Sequence, residues 1–356
     1  MSSTQARVGV IGCGWWSTYT HIPEILGHPS ATLVAICDRS EEALSATNGA
    51  YGSISTYTDH CRMLEDEQLD GVVVSVSHNA HYEVARDCLK AGLHVMLEKP
   101  MALEASHARA LLSLADHEGC ELIVGYPYHY TDTTRRAREI LQSGQLGAIQ
   151  YVSCVFASMV VEFYRGNDEA YRAVFNYPVT GPRKAYTDAH QSGGGQGHLQ
   201  VTHSAGSLLY ITGLQPQRVC CFMENWDVPV DLVNALTVQF VAQNGTPAVG
   251  VLGSTGNIGV GDGGQMDIRV YCEQGYLILE QIQGMLWVKQ HDGREQRYGP
   301  LAEDDRYPRF ATTRNLVEVI LGQTPNGSPA QVGVRVVELL DAAYRSASQD
   351  GSPIQV

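Results

Sequence analysis

Basic residues are scarce in this chain: 24 Lys and Arg stand against 38 Asp and Glu, a formal net charge of -14. The sequence pI is about 5.3. A surface of that sign repels phosphates, which excludes nucleic acid as a partner. Long apolar runs are also missing; charge or glycine breaks each one well short of the ~18 residues a membrane span needs. The start, Met1-Ser2-Ser3-Thr4-Gln5-Ala6, lacks the basic and apolar blocks of a secretory leader, so the expected address is the cytoplasm. No C-x-x-C pair occurs, and the nine cysteines lie scattered, which reads as reduced packing residues rather than a disulfide framework or zinc site. Internal repeats and low-complexity tracts are absent too.

What remains is a well-buried chain of 356 residues, 44% hydrophobic and 17% charged, long enough for two domains. Short Val- and Ile-rich runs at Val8–Ile11, Leu33–Cys37, Gly71–Val76, His94–Leu97 and Leu122–Val124 predict strands buried on both faces. Helical patterns at Glu41–Thr47, Tyr82–Ala91 and Ala105–His117 alternate with them, so a parallel sheet follows. After Tyr126 the pattern changes. A helix over Thr131–Ser143 precedes alternating segments at Ile149–Val161, Arg218–Glu224, Leu232–Val241, Ala248–Leu252, Met266–Tyr271, Tyr276–Gln281 and Leu286–Lys289. Helices are expected near His198–Tyr210, Thr312–Leu321 and Val332–Ser348. The predicted fold is α/β: a Rossmann domain over 1–126, then an α+β domain over 127–356 with an open, mostly antiparallel sheet. The uncovered face of such a sheet commonly becomes a subunit contact, predicting a homo-oligomer, dimer or tetramer. The segment Glu162–Ser192, rich in tyrosine, reads as an ordered functional loop.

The first strand runs into Gly12-Cys13-Gly14-Trp15-Trp16-Ser17, a G-x-G-x-x-G turn with serine in the third place. Gly12 would make the tight turn, Gly14 would let the backbone approach a pyrophosphate, and the helix that follows would offer N–H donors. Trp15 and Trp16 belong to the same turn and count as cofactor contacts. About twenty residues on, Val34-Ala35-Ile36-Cys37 ends at Asp38, placed to accept both ribose hydroxyls and to repel a 2′-phosphate. NAD is therefore expected over NADP, although the adjacent Arg39 could hold a phosphate. His78 and His81 have no third ligand nearby in the sequence, so no metal is expected.

With Glu98-Lys99-Pro100 the chain resembles the Gfo/Idh/MocA oxidoreductases, the glucose-fructose oxidoreductase and inositol dehydrogenase group. The resemblance runs over nearly the whole chain. It rests on Val8–Gly14, on Ala91-Gly92-Leu93-His94-Val95-Met96-Leu97-Glu98-Lys99-Pro100, on Val124-Gly125-Tyr126, and on Ser192-Gly193-Gly194-Gly195 before a helix carrying His203. It implies oxidation of a secondary alcohol of a sugar or polyol, or reduction of the ketone, with NAD(P). It makes Lys99 the catalytic lysine, oriented by Glu98, with Pro100 in a bond that is often cis. His203 becomes a general acid/base. His81 would stand near the nicotinamide, with Ser77 where the family often has proline. Tyr128 and His129 would face the sugar, as would Arg183, Tyr186 and Asp188 from the loop. The family usually has aspartate four residues before His203, and this chain has Leu199; His198, Gln196 or Gln200 would have to substitute.

Two activities are compatible with these residues. The first is an NAD-dependent sugar or polyol dehydrogenase. The second is a redox-neutral glycosidase, by oxidation, elimination and reduction, or an epimerase; the missing aspartate favours it. Arg165, Arg172, Arg183 and Lys184 in one loop point to an acidic sugar. A non-enzymatic sensor would need the glycine turn or Lys99 to be absent, and both are present.

Overall fold

The computed structural model describes residues 5–356. Strands β1 (Ala6–Ile11), β2 (Ala31–Cys37), β3 (Ser55–Tyr57), β4 (Gly71–Val74), β5 (His94–Leu97) and β6 (Leu122–Val124) form a six-stranded sheet in the order β3-β2-β1-β4-β5-β6. All its pairings are parallel. Val8, Val10, Val72, Val73, Val74, Val95 and Met96 have no exposed surface, as strands covered by helices on both faces require. In this order the chain reverses between β1 and β4, and a crevice opens there beyond the strands' carboxyl ends.

The second sheet has nine strands. In chain order they are β7 (Ile149–Ala157), β8 (Gln215–Glu224), β9 (Val233–Val241), β10 (Pro247–Thr255), β11 (Gln265–Cys272), β12 (Gly275–Glu280), β13 (Met285–Gln290), β14 (Glu295–Tyr298) and β15 (Ile354–Gln355). Their spatial order is β14-β13-β12-β11-β7-β10-β9-β8-β15, and only β7 and β10 pair in parallel. Burial alternates residue by residue along β9, β10 and β11, so one face is packed and one is open. Helices Asp132–Gln142, Thr202–Thr212 and Ala330–Ala347 cover the packed face. On the other face Tyr151, Val155, Val249, Val251 and Tyr271 are each more than a third exposed. Helix Ala311–Ile320 crosses back, and its Leu316 and Val317 join the core under β1 and β4.

Several expected boundaries shift. β4 stops at Val74 rather than Val76: Ser75 still donates its N–H to Ile11 O (2.8 Å), and the chain bends away at Val76. β7 stops at Ala157 rather than Val161: Val160 and Val161 donate to Gly256 O (3.1 and 3.0 Å), which wraps the chain around the end of β10 into a short helix, Val161–Tyr164. The edge strands β3 and β14 were not expected; both are short and mostly exposed, with no apolar alternation to reveal them. All nine cysteines are free, and Cys221 is buried while its neighbour Cys220 is only partly so.

Candidate active site

Gly12 sits at the reversal point with φ 99°, and a Cβ there would lie 2.2 Å from Ser75 O. Its glycine requirement therefore comes from the backbone just after β4, not from a ligand. Gly14 is different. It is exposed and nothing lies within 4 Å of its Cβ position, which opens into a cavity of about 400 Å³. Ile11, Gly12, Trp15, Trp16, Asp38, Arg39, Ser77 and His78 share that cavity. Asp38 accepts the N–H groups of Cys13 (Oδ2, 2.8 Å) and Ser40 (Oδ1, 2.9 Å). Each carboxylate oxygen keeps a lone pair free, so the pair can still receive two hydroxyls. A dinucleotide fits these residues: open backbone at Gly14, a helix starting at Trp15, and a fixed carboxylate at the end of β2.

A second cavity, about 300 Å³, shares Trp15, Trp16, Ser75, Val76, His78 and Tyr186 with the first, so the two are continuous. Lys99, His203, Gln200, Leu199 and Tyr128 line it. Lys99 follows β5 on a cis peptide to Pro100, and its Nζ donates to the backbone carbonyl of Leu199 (3.1 Å). That carbonyl lies in a π-helical turn, Gly197–Val201, which leads into the helix bearing His203. Such widened turns leave carbonyls outside the ordinary i to i+4 ladder and recur at functional sites. Enclosure strips water from the Lys99 ammonium and pulls its pKa down to about 8, with the Glu98 carboxylate resisting. His203 is 6% exposed, its Nδ1 has no partner, and burial with the nearby Lys99 charge holds its pKa well below the usual value.

Glu98 does not reach Lys99 Nζ as expected. Its Oε1 accepts Trp16 Nε1–H (3.0 Å) and lies 3.2 Å from His21 Nε2, while Oε2 accepts the Lys99 backbone N–H (3.1 Å). Burial raises its pKa, but His21 and Lys99 outweigh that and hold the carboxyl below its ordinary value. Glu98 thus fixes the backbone at Lys99 and acts on the ammonium through charge alone. His21, fully buried and 2.7 Å by Nδ1 from Thr313 Oγ1, is a site residue the spacing did not reveal. It is brought there by a π-helical turn, Ser17–His21, whose register a motif search does not carry.

The other expected site residues divide. Tyr186 and Gln200 line the substrate cavity; Tyr186 Oη accepts Trp15 Nε1–H (3.1 Å) where the two cavities meet. His81 borders it too, but both ring nitrogens face backbone carbonyls, Pro100 O (2.7 Å) and Val76 O (3.1 Å). His78 borders both cavities, its Nδ1 2.8 Å from Ser192 O. His129 is not a substrate contact: the turn Pro127–Tyr130 points it inward, fully buried, stacked on Tyr210 (4.0 Å) and bonded to Ser328 Oγ (2.9 Å). His198 is stacked on Tyr344 (4.5 Å) behind the helix and does not line the cavity. Asp188 caps the helix Ala189–Ser192 through His190 N and Gln191 Nε2 (2.9 Å each). Arg183 is exposed, its guanidinium 3.6 Å from Glu42. The other cations of the loop face outward as well: Arg165 pairs with Glu162 and Asp227, Arg172 with Glu169, and Lys184 is exposed. The loop's positive charge therefore gives no support to an acidic sugar.

Sequence reasoning also missed Asp231. It is 5% exposed and accepts Gly195 N–H (2.6 Å), Gly197 N–H (2.8 Å) and Tyr344 Oη–H (2.7 Å), anchoring the glycine turn ahead of the His203 helix. Missed too was a continuous wall of rings beginning at His203. Tyr128 lies 6.2 Å from His203 and 5.0 Å from Tyr307; Trp16 lies 6.5 Å from Tyr307 and 5.1 Å from Trp15; Trp15 meets Phe175 (5.5 Å) and Phe163 (5.7 Å).

Residues 6–126 match the model of an oxidoreductase family with an NAD-binding Rossmann fold, and residues 134–278 match the C-terminal domain of the same family. The chain belongs to the Gfo/Idh/MocA oxidoreductases. Its cofactor domain is accordingly an NAD-binding one. D-glucoside 3-dehydrogenase of Escherichia coli is 32% identical over 149 residues, 42% of each chain. Myo-inositol 2-dehydrogenase of Thermotoga maritima is 29% identical over 141 residues, 40% of this chain and 42% of that one. The chain thus spans less than half the length of these curated relatives. In fold it is similar to GenD2 from gentamicin A biosynthesis, solved with NAD: TM-score 0.77, 22% identity, covering 100% of this chain and 97% of that one. Among the described residues no helix is long and apolar enough to cross a membrane.

Proposed function

We propose that this Gfo/Idh/MocA protein oxidises a secondary alcohol of a sugar, sugar derivative or polyol, or reduces the matching ketone, with NAD as hydride acceptor or donor. One observation carries the reading: Lys99, desolvated and tethered to Leu199 O, faces a cavity that runs directly into the dinucleotide crevice. With a pKa near 8 the amine is neutral often enough to take the alcohol's proton, and in the reverse direction its ammonium returns it. His203 stays neutral and hydrogen-bonds the reacting oxygen from the opposite element. Asp38 receives the ribose hydroxyls, and Gly14 leaves room for the pyrophosphate. Bound there, NAD supplies the hydride acceptor.

The Leu199 carbonyl takes over one task of the absent aspartate, holding the lysine, but brings no second base. That shortage supports a redox-neutral glycosidase or epimerase as the second reading. We place the domain boundary near residue 126, with residues 127–356 completing the substrate wall that Trp15, Trp16 and Lys99 begin. The apolar outer face at Tyr151, Val249 and Tyr271 supports self-association through the large sheet. Lys99→Ala tests the central role. Turnover is expected to fall by about a hundredfold to ten-thousandfold with NAD affinity nearly unchanged; equal losses in both would overturn it.

A further inference from the structure

The ring wall and the placement of charge narrow the substrate class, an inference that rests on the oxidoreductase reading above. Away from Lys99 and His203 the cavity is lined by Trp15, Met159, Val160, Phe163 and Phe175. Most polar groups on that side are already engaged, the Tyr186 hydroxyl proton being the donor left over. Trp15 Nε1–H goes to Tyr186, Trp16 Nε1–H to Glu98, and Ser158 Oγ accepts Gln196 Nε2–H (3.1 Å). A hydroxylated ring seated there would lose water to several hydroxyls and find the Tyr186 O–H as a partner for only one, which is unfavourable for each group left unpaired. An apolar ring would gain from the same contact by burial and by offset or edge-on stacking. Charge points the same way. Glu98 is spent on Trp16, His21 and the Lys99 backbone, and Arg165, Arg172 and Arg183 are paired outside the cavity.

We propose that the substrate is an uncharged glycoside with a flat, apolar aglycone, its sugar at Lys99 and His203 and its aglycone against Trp15, Phe163 and Phe175. The sugar presents its hydroxyls where Lys99, His203, Gln200 and Tyr128 can meet them; the aglycone fills the space those hydroxyls cannot. Trp15 comes from the glycine turn and Phe163 and Phe175 from the segment after β7, and the three already pack together with Tyr171 and Leu199, so the platform is built before a ligand arrives.

The test uses the full-length protein loaded with NAD and matched phenyl and methyl pairs of several neutral hexosides, with phenyl glucuronide as the charged member. Calorimetry gives each dissociation constant, and coupled mass spectrometry gives turnover. Phenyl glycosides should bind about thirtyfold more tightly than their methyl partners, and Phe163→Ala should narrow the gap. Equal affinity within pairs, or a preference for the glucuronide, would overturn the proposal. The two readings fail separately. A phenyl preference in binding without turnover of any pair would sustain this inference and sink the oxidoreductase reading; turnover of both members alike would do the reverse.

Discussion

Lys99 should set the pH dependence of alcohol oxidation by itself, because no other group lining the cavity titrates in the working range. Burial holds His203 and His78 well below the usual imidazole value and lowers His81. Glu98 is held below the usual carboxylate value despite its burial. Burial pushes Tyr186 up to about 12 and Tyr128 and Tyr307 up as well. Lys99 alone falls between, moved from 10.5 to about 8. At about 1.4 kcal/mol per unit, the site favours the neutral amine by roughly 3 kcal/mol over water. At pH 7 about a tenth of the lysines are then neutral, against fewer than about one in a thousand for a free side chain. Initial rates of NAD reduction across pH 6 to 10 should therefore show kcat/KM rising with unit slope and levelling near pH 8. Reduction of the ketone should fall through the same pH. A limb that breaks at pH 10 or above, or one that survives in Lys99→Met, would refute the assignment. The same shift bears on stability. Between pH 8 and 10.5 the unfolded chain binds the proton that the folded chain has released, so this group makes the fold more stable as pH rises through that window.

The two glycines of the cofactor turn should part company on mutation. Gly12→Ala sets a Cβ against Ser75 O at positive φ and should cost at least about 2 kcal/mol, several degrees in Tm, together with NAD binding. Gly14→Ala meets no protein atom, so Tm should hold while NAD affinity drops; calorimetry and thermal melts read both. Asp231→Asn replaces a carboxylate oxygen that faces an N–H or O–H donor. It should lower Tm by about 5 °C and reduce turnover by loosening the turn before His203. A melt within a degree of the parent would show that the turn does not depend on that carboxylate.

How much of this was written in the sequence depends on how local each signal is. β1, β2, β4 and β5 announce themselves because burial on both faces demands unbroken Val and Ile. The glycine turn, Asp38 and Lys99 are equally legible, since each sits at a strand end beside its motif. β3 and β14 were not, because an exposed edge strand of three or four residues has no apolar alternation to display. His129 was misassigned for a related reason: one short turn decides whether it faces the cavity or Tyr210, and composition does not encode that choice. The contacts that organise the chemistry are the least local. The Leu199 carbonyl becomes available through a π-helical turn, His21 reaches Glu98 through another, and Asp231 caps a turn some thirty residues before it. Charge misled as well. Arg183 and its neighbours form a cationic loop in the sequence, but in the fold Glu42, Glu162, Glu169 and Asp227 neutralise Arg183, Arg165 and Arg172 on the outside.

The most direct test of the whole account is the stoichiometry of NADH against product. Purified protein, NAD and a panel of neutral sugars and glycosides would be incubated together, with absorbance following NADH and mass spectrometry following the sugar. One NADH per oxidised sugar is the predicted result. Product that forms without net NADH, yet disappears when NAD is stripped from the protein, would contradict net oxidation and establish the redox-neutral reading instead.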